Sequence, residues 1–344
     1  MTASVGIGLI GAGRIGASHA RVIAQRVPGA RLVAVADPRP GAAASLTSEL
    51  GGTPYESPAA LAADAGVDAV VIAAASVVHA ELVELATAAG KPVFCEKPMG
   101  MDLTEVDRAI SAAERAGVAL QVGFNRRFDR GFLDARRAVV DGALGDIQLL
   151  RSLTRDPGLA NPAGVPPWTI FTQTLIHDFD TLNWLNPGAE PVEVYATAGA
   201  LIAPEYAAAG LLDTAVVVIT YDNGARAVAE ASFSAAYGYD VRGEVFGSRG
   251  MVTVGDGARS SARLLTATGA AYETTRSDTE LLRDAYTGEF VEFTAAVREG
   301  RPPSVTGTDA HRALAIAMAC IDSVRAHAPA LVAGRTSAGL VGAR

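Results

Sequence analysis

Over the first 123 residues, short unbroken apolar runs alternate with stretches in which apolar positions recur every three or four residues. Residues 5–10 predict a buried strand and 14–27 a helix, then 32–36 a strand and 42–50 a helix. Residues 69–74 are all small or β-branched, as in a strand covered on both faces. A helix ending at Gly90 precedes a strand at 92–95, and a helix at 103–117 precedes one at 119–122. This alternation predicts a doubly wound parallel sheet. After Gly145 the runs lengthen and alternate, at 147–154, 192–200, 214–221, 225–233, 241–246 and 251–254. The Asp222-Asn223-Gly224 turn joins two of them as a hairpin, so this sheet is expected to be mostly antiparallel. Helices are expected at 175–185, 286–298 and 309–325. The reading is an α/β chain: a nucleotide-type domain over 1–123, an α+β domain with a large open sheet over 124–332, and a mobile tail over 333–344.

Composition narrows the function. A length of 344 residues suits two cores rather than one, and 49% hydrophobic against 19% charged residues excludes dominant disorder. Arg126, Arg127 and Arg130 interleave with Phe128 and Phe132, but 29 basic against 37 acidic residues argue against a nucleic-acid partner. Two cysteines, Cys95 and Cys320, make no disulfide framework and read as buried small hydrophobes. Five scattered histidines give no local metal motif, so no metal is expected. The most apolar window, 67–90, carries Asp68, His79, Glu81 and Glu84 and does not suit a bilayer. With no basic leader at the N-terminus, a cytoplasmic protein is expected.

The chemistry begins at Gly11-Ala12-Gly13-Arg14-Ile15-Gly16, between a strand and a helix. Glycines at this spacing allow a tight turn and close approach of a pyrophosphate, which the helix N-terminus favours. Asp37 ends the second strand, where a carboxylate accepts ribose hydroxyls. Arg39 could meet a 2′-phosphate, but Asp37 would repel it; NAD is favoured, with NADP possible. Ser76, after the third strand, joins the cofactor-binding set. Lys97 ends the fourth strand, at the edge where such sheets bind ligands, and could steady a reacting hydroxyl; Glu96 could restrain the backbone or pair a charge. Gln173, His177, Asp180 and Trp184 share one helical face. Neutral His177 could accept a hydroxyl proton, and Asp180 could orient it, bind a substrate hydroxyl or lie on the surface. Asp178 points off that face and reads as a bystander.

The glycine turn, Glu96-Lys97-Pro98, Gly123-Phe124-Asn125-Arg126-Arg127-Phe128 and Ile176-His177-Asp178-Phe179-Asp180 occur in one order. Together they resemble the glucose-fructose oxidoreductase / inositol dehydrogenase / rhizopine-catabolism (Gfo/Idh/MocA) family, in its inositol 2-dehydrogenase-like branch. The resemblance reaches Gly300-Arg301-Pro302-Pro303. It implies a Rossmann domain, a second domain whose open sheet builds a homo-oligomer (dimer or tetramer), and NAD(P)-dependent chemistry on cyclitols, sugars or related polyols. Lys97 and His177 match the family's catalytic pair. The resemblance brings Asn125 to the nicotinamide and Arg127 to the substrate, the latter with a domain-joining charge network as its alternative. Asn161, Trp168 and Tyr286 are further pocket candidates; Trp168 would stack on a sugar face or pin its loop. Gln173 stands where the branch commonly has aspartate, and Thr169-Ile170 replace its usual glycine pair. That departure argues against simple myo-inositol as substrate. The expected activity is oxidation of a secondary alcohol of a cyclitol, sugar or glycoside. Alternatives are a sugar–sugar oxidoreductase with tightly bound NADP, or a noncatalytic nucleotide-sensing regulator; the regulator would not need both Lys97 and His177.

Overall fold

The computed structural model describes residues 4–159, 161–255 and 257–334. Six strands, β1 (Val5–Ile10), β2 (Ala30–Ala36), β3 (Thr53–Tyr55), β4 (Ala69–Ile72), β5 (Val93–Cys95) and β6 (Leu120–Val122), form one sheet in the order β3-β2-β1-β4-β5-β6. All its pairings are parallel. Helices α1 (Arg14–Arg26), α2 (Ala42–Leu50), α3 (Pro58–Ala63), α4 (His79–Ala88) and α5 (Leu103–Ala116) connect them. The order reverses at β1 and β4, and such a switch point opens a crevice at the carboxyl ends of the strands. β4 is buried at every position, as its small and β-branched sequence requires.

Helix α6 (Arg130–Val140) leads to the second sheet, built from β7 (Ile147–Arg155), β8 (Pro191–Gly199), β9 (Thr214–Tyr221), β10 (Arg226–Ser232), β11 (Asp240–Gly247), β12 (Gly250–Val254) and β15 (Ala330–Leu331). Its order is β12-β11-β7-β10-β9-β8-β15, with only β7–β10 parallel among the described pairings. Helices α7 (Ile176–Leu185) and α10 (Gly307–Ala326) pack together over one face, against β7 and β8. Ala215, Val217 and Ile219 of β9 are buried there, while Val216 and Val218 point to the open face. A small hairpin, β13 (Leu264–Thr266) and β14 (Gly269–Ala271), and helices α8 (Asp278–Leu281) and α9 (Arg283–Glu299) complete the chain. Among the described residues no helix is long and apolar enough to cross a membrane.

Several elements were not expected. β3 carries Pro54 on the sheet edge, where a missing donor costs nothing. Helix α6 follows the arginine-rich segment and is N-capped by Asp129, whose side chain accepts from Gly131 N and Phe132 N. α9 begins three residues before the expected Tyr286. Ahead of α7, residues Ile170–Thr174 form a π turn, closed by Leu175 N donating to Ile170 O at 2.8 Å. The tail expected over 333–344 falls, from 335 on, outside the described residues.

Candidate active site

The glycine turn follows β1 directly. Gly11 has φ +101°, and a Cβ there would lie 2.5 Å from the Ala73 carbonyl oxygen. A Cβ on Gly16 would fall 1.8 Å from the Gly11 oxygen, so that glycine lets α1 close onto the turn. Gly13 is different: a Cβ there would meet nothing within 4 Å. Protein packing therefore does not demand glycine at 13; the open space beside the α1 N-terminus leaves room for an anionic ligand group. Asp37 Oδ2 accepts from Ala12 N (2.7 Å) and Arg39 Nη2, and Oδ1 from Arg39 N and Nε, each Arg39 bond at 2.9 Å. The hydrogen bond from the Arg39 side chain, against the cost of burial, holds the Asp37 carboxyl at about 2. Asp37 is thus ionised, with Arg39 folded onto it.

A cleft of about 380 Å³ opens between the carboxyl edge of the parallel sheet and α7. Of the expected residues, Arg14, Ile15, Ser76, Glu96, Lys97, Asn125, Gln173, His177 and Tyr286 line it. Asn125 is 2% exposed and its Oδ1 has no hydrogen-bond partner, a buried acceptor that a ligand donor can satisfy. This orphan and the empty space at Gly13 fit a dinucleotide: pyrophosphate at the glycine turn, ribose toward Asp37, nicotinamide toward Asn125.

Lys97 Nζ donates to the backbone oxygen of Gln173 at 2.9 Å. The π turn makes this contact available, since its i+5 bonding takes Gln173 O out of the regular helical ladder. Burial lowers the Lys97 pKa, and the Glu96 carboxylate opposes that fall. Glu96 is itself fixed, with Oε1 2.6 Å from His19 Nε2 and Oε2 accepting Lys97 N at 3.2 Å. His177 faces the same cleft. Its Nδ1 is buried without a partner, so Nε2 is the ring nitrogen with access to the cleft. Burial, then the positive charges of Lys97 and Arg126, push its pKa well below the usual 6.5. A neutral imidazole and the Lys97 side chain therefore share one cleft, where the imidazole can accept a hydroxyl proton.

Four expected substrate contacts lie elsewhere. Arg127 binds Asp180 through Nε (2.9 Å) and Nη2 (2.5 Å), and Asp309 through Nη2 (2.9 Å). Neither Arg127 nor Asp180 lines the cleft; they join residues 125–128 to α7 and α10, the charge network that was the alternative. Trp168 pins its loop: its N donates to Gly210 O at 2.8 Å, and the Arg325 guanidinium lies 5.0 Å from the ring centroid. Asn161 is exposed outside the cleft. Asp178 is no bystander. It is fully buried and bound by Arg126, Ser152 and Thr154, because α7 is covered by β7 and α10 and keeps little solvent face. The cleft also holds residues the sequence pattern did not single out for it: Arg126, Asp156, Tyr239 and Asp278. Arg126 lay in a recognised motif, whereas Asp156 directly follows strand β7 and bears no local signal.

Behind Lys97, one ligand atom each from His19, Glu96 and Glu289 lies within 4.8 Å of the others. The 2.6 Å His19–Glu96 contact is a hydrogen bond, shorter than the roughly 3.3 Å between two donors of one tetrahedral zinc. Burial, and then Glu96, raise the Glu289 pKa well above its usual value.

Residues 5–124 match the family model for the oxidoreductase family with NAD-binding Rossmann fold, and 132–253 the Gfo/Idh/MocA C-terminal domain. A myo-inositol 2-dehydrogenase of Thermotoga maritima is 38% identical over 330 residues, covering 92% of this chain and 96% of the relative. The scyllo-inositol 2-dehydrogenase (NAD(+)) of Bacillus subtilis is 35% identical, covering 92% and 93%. The crystal structure of scyllo-inositol dehydrogenase from Lactobacillus casei with bound NAD(H) and scyllo-inositol superposes with TM-score 0.90 at 28% identity, covering 96% of this chain and all of the other. Glycine turn, sheet order, cleft and relatives agree: the chain belongs to the Gfo/Idh/MocA family of NAD-binding oxidoreductases.

Proposed function

We propose that this protein is an NAD-dependent dehydrogenase that oxidises a secondary alcohol of a cyclitol, with sugars and glycosides as the next class. The carrying observation is the convergence of Lys97 Nζ and neutral His177 on the cleft that the glycine turn and Asn125 also reach. Family membership and the inositol-acting relatives support it. NAD, when bound, supplies the acceptor for the hydrogen on the substrate carbon. Lys97 keeps one N–H on Gln173 O and offers the others to the substrate oxygen, stabilising negative charge as the proton leaves. His177 takes that proton at Nε2. The amide of Gln173 and the carboxylate of Asp156 are the cleft groups placed to sort the remaining hydroxyls.

The division of labour we propose puts the boundary at 123/124, which the sheet membership supports. The open face of the second sheet presents Tyr195, Val216, Val218, Phe246 and Met251, each more than a third exposed, and supports a homo-oligomer. Sedimentation of the purified protein as a monomer would remove that reading. The activity itself is tested by a panel of inositols, aldoses and glycosides with NAD and NADP, followed by NADH or NADPH absorbance. Turnover of at least one inositol with NAD is expected. Nucleotide binding without turnover of any member would make the chain a sensor, not a dehydrogenase.

A further inference from the structure

Arg126 and Asp178 are 3% and 0% exposed, adjacent in sequence to Asn125 and His177 respectively. Arg126 Nη1 donates to Asp178 Oδ1 at 2.6 Å. Ser152 Oγ donates to the same oxygen at 2.5 Å, and Thr154 Oγ1 donates to Oδ2 at 2.6 Å while accepting from Arg126 Nη2. One carboxylate thus ties the cofactor-side turn Asn125–Phe128, strand β7 and catalytic helix α7. Arg126 also lines the cleft.

We infer that Arg126 and Asp178 are positioning residues that hold His177 in register with the cofactor segment, an inference that rests on the dehydrogenase reading. Asn125 and His177 lie on elements far apart in the chain, and transfer needs both aligned. A displacement of about 1 Å at such a site costs on the order of 10²-fold in rate. The neighbouring rung, Arg127–Asp180, joins the same two elements but leaves the cleft alone. Arg126 differs because its charge also reaches His177. Asp178 balances that charge from behind. The other charged or titratable groups that line the cleft with His177 are Arg14 and His79 of the parallel-sheet domain, Glu96 and Lys97 just past β5, Asp156 just past β7, and Tyr239, Asp278 and Tyr286.

Opposite effects on the ring therefore follow from removing opposite halves of the pair. Asp178→Asn leaves the guanidinium unbalanced, and the acid limb of kcat/KM moves to lower pH. Arg126→Gln leaves the carboxylate unbalanced, and the limb moves to higher pH. Both variants lose roughly 10- to 100-fold in kcat, with NAD affinity within a few-fold of wild type. The double variant returns the limb toward wild type while kcat stays low. Histidine NMR titration of His177, assigned with His177→Asn, reads the two shifts without substrate, so it decides the inference even if no polyol is turned over. If Asp178→Asn does not fold, Thr154→Val and Ser152→Ala each remove one bond to Asp178 and one from Arg126 but no charge; a kcat loss with an unmoved limb is then expected. Shifts of the same sign in the two charge variants, or kcat unchanged in all of them, overturn the inference.

Discussion

Replacing Asp156 with asparagine should make the protein more stable at neutral pH and less active. Asp156 follows β7, its backbone pinned by Asp156 N to Ser232 O and Ala235 N to Asp156 O, both at 2.9 Å. Asp156 lines the cleft. Burial raises its pKa from 3.8 to about 6; Lys97 opposes the rise and Asp278 adds to it. A raised carboxyl pKa in the folded state means that the unfolded chain ionises first as pH increases. Stability is therefore lost as pH climbs from about 4 to about 6, and the loss is complete above that window. The difference, 6 − 3.8, corresponds to about 3 kcal/mol as an upper bound for this mostly buried group. Asparagine avoids the ionisation, so Asp156→Asn should gain about 1–3 kcal/mol over wild type at pH 8 and nothing near pH 4. Thermal melts across pH 4–8 measure it; one kcal/mol shifts Tm by roughly 2–4 °C in a chain of 150–250 residues, and by less here. A Tm difference that does not change with pH, or a wild type that is the more stable at pH 8, refutes the reasoning. Cyclitol turnover measured alongside should fall, because a substrate hydroxyl loses its charged acceptor.

Lys97→Met should retain NAD binding by calorimetry while kcat drops on the order of 10² or more, the loss of one charged contact that strengthens in the transition state; near-normal turnover removes the lysine from the mechanism. Asp37→Ser should raise NADP use relative to NAD, since it removes the repulsive carboxylate and frees Arg39 from its bidentate bond. A wild type that already prefers NADP in steady-state kinetics would show that Arg39 dominates. Gln173→Asp should move the acid limb of kcat/KM to higher pH, because a carboxylate near His177 favours the imidazolium, and should reorder preference within a polyol panel. If limb and preference both stay put, the side chain at 173 does not reach the reacting groups.

Legibility divides along physical lines. The parallel sheet and its glycine turn were readable because each rests on local rules: unbroken apolar strands, turns that exclude side chains, a carboxylate at a strand end. Lys97 and His177 were readable from motif context, and the cleft contains both. Asp178 and Asp180 were misread because helical periodicity assumes one wet face, whereas Ile176, Asp178, Phe179, Asp180, Thr181 and Leu182 are all buried. On such a helix, charge marks an internal partner. Arg127 was placed at the substrate by resemblance, and its two carboxylate partners, Asp180 and Asp309, come from far along the chain. No spacing rule connects them. The contribution of Asp156 depends on which strand end meets which, and only tertiary structure sets that.

The π turn at Ile170–Thr174 has a bearing on how substrate preference can drift. The partner that holds Lys97 is a main-chain oxygen, present whatever residue occupies 173. A substitution at 173 therefore changes a side chain that lines the cleft while leaving in place the oxygen that Lys97 binds. Had the tether been a side chain, each new specificity would have begun with a damaged enzyme. Here the tether of Lys97 and the side chain at 173 are inherited separately.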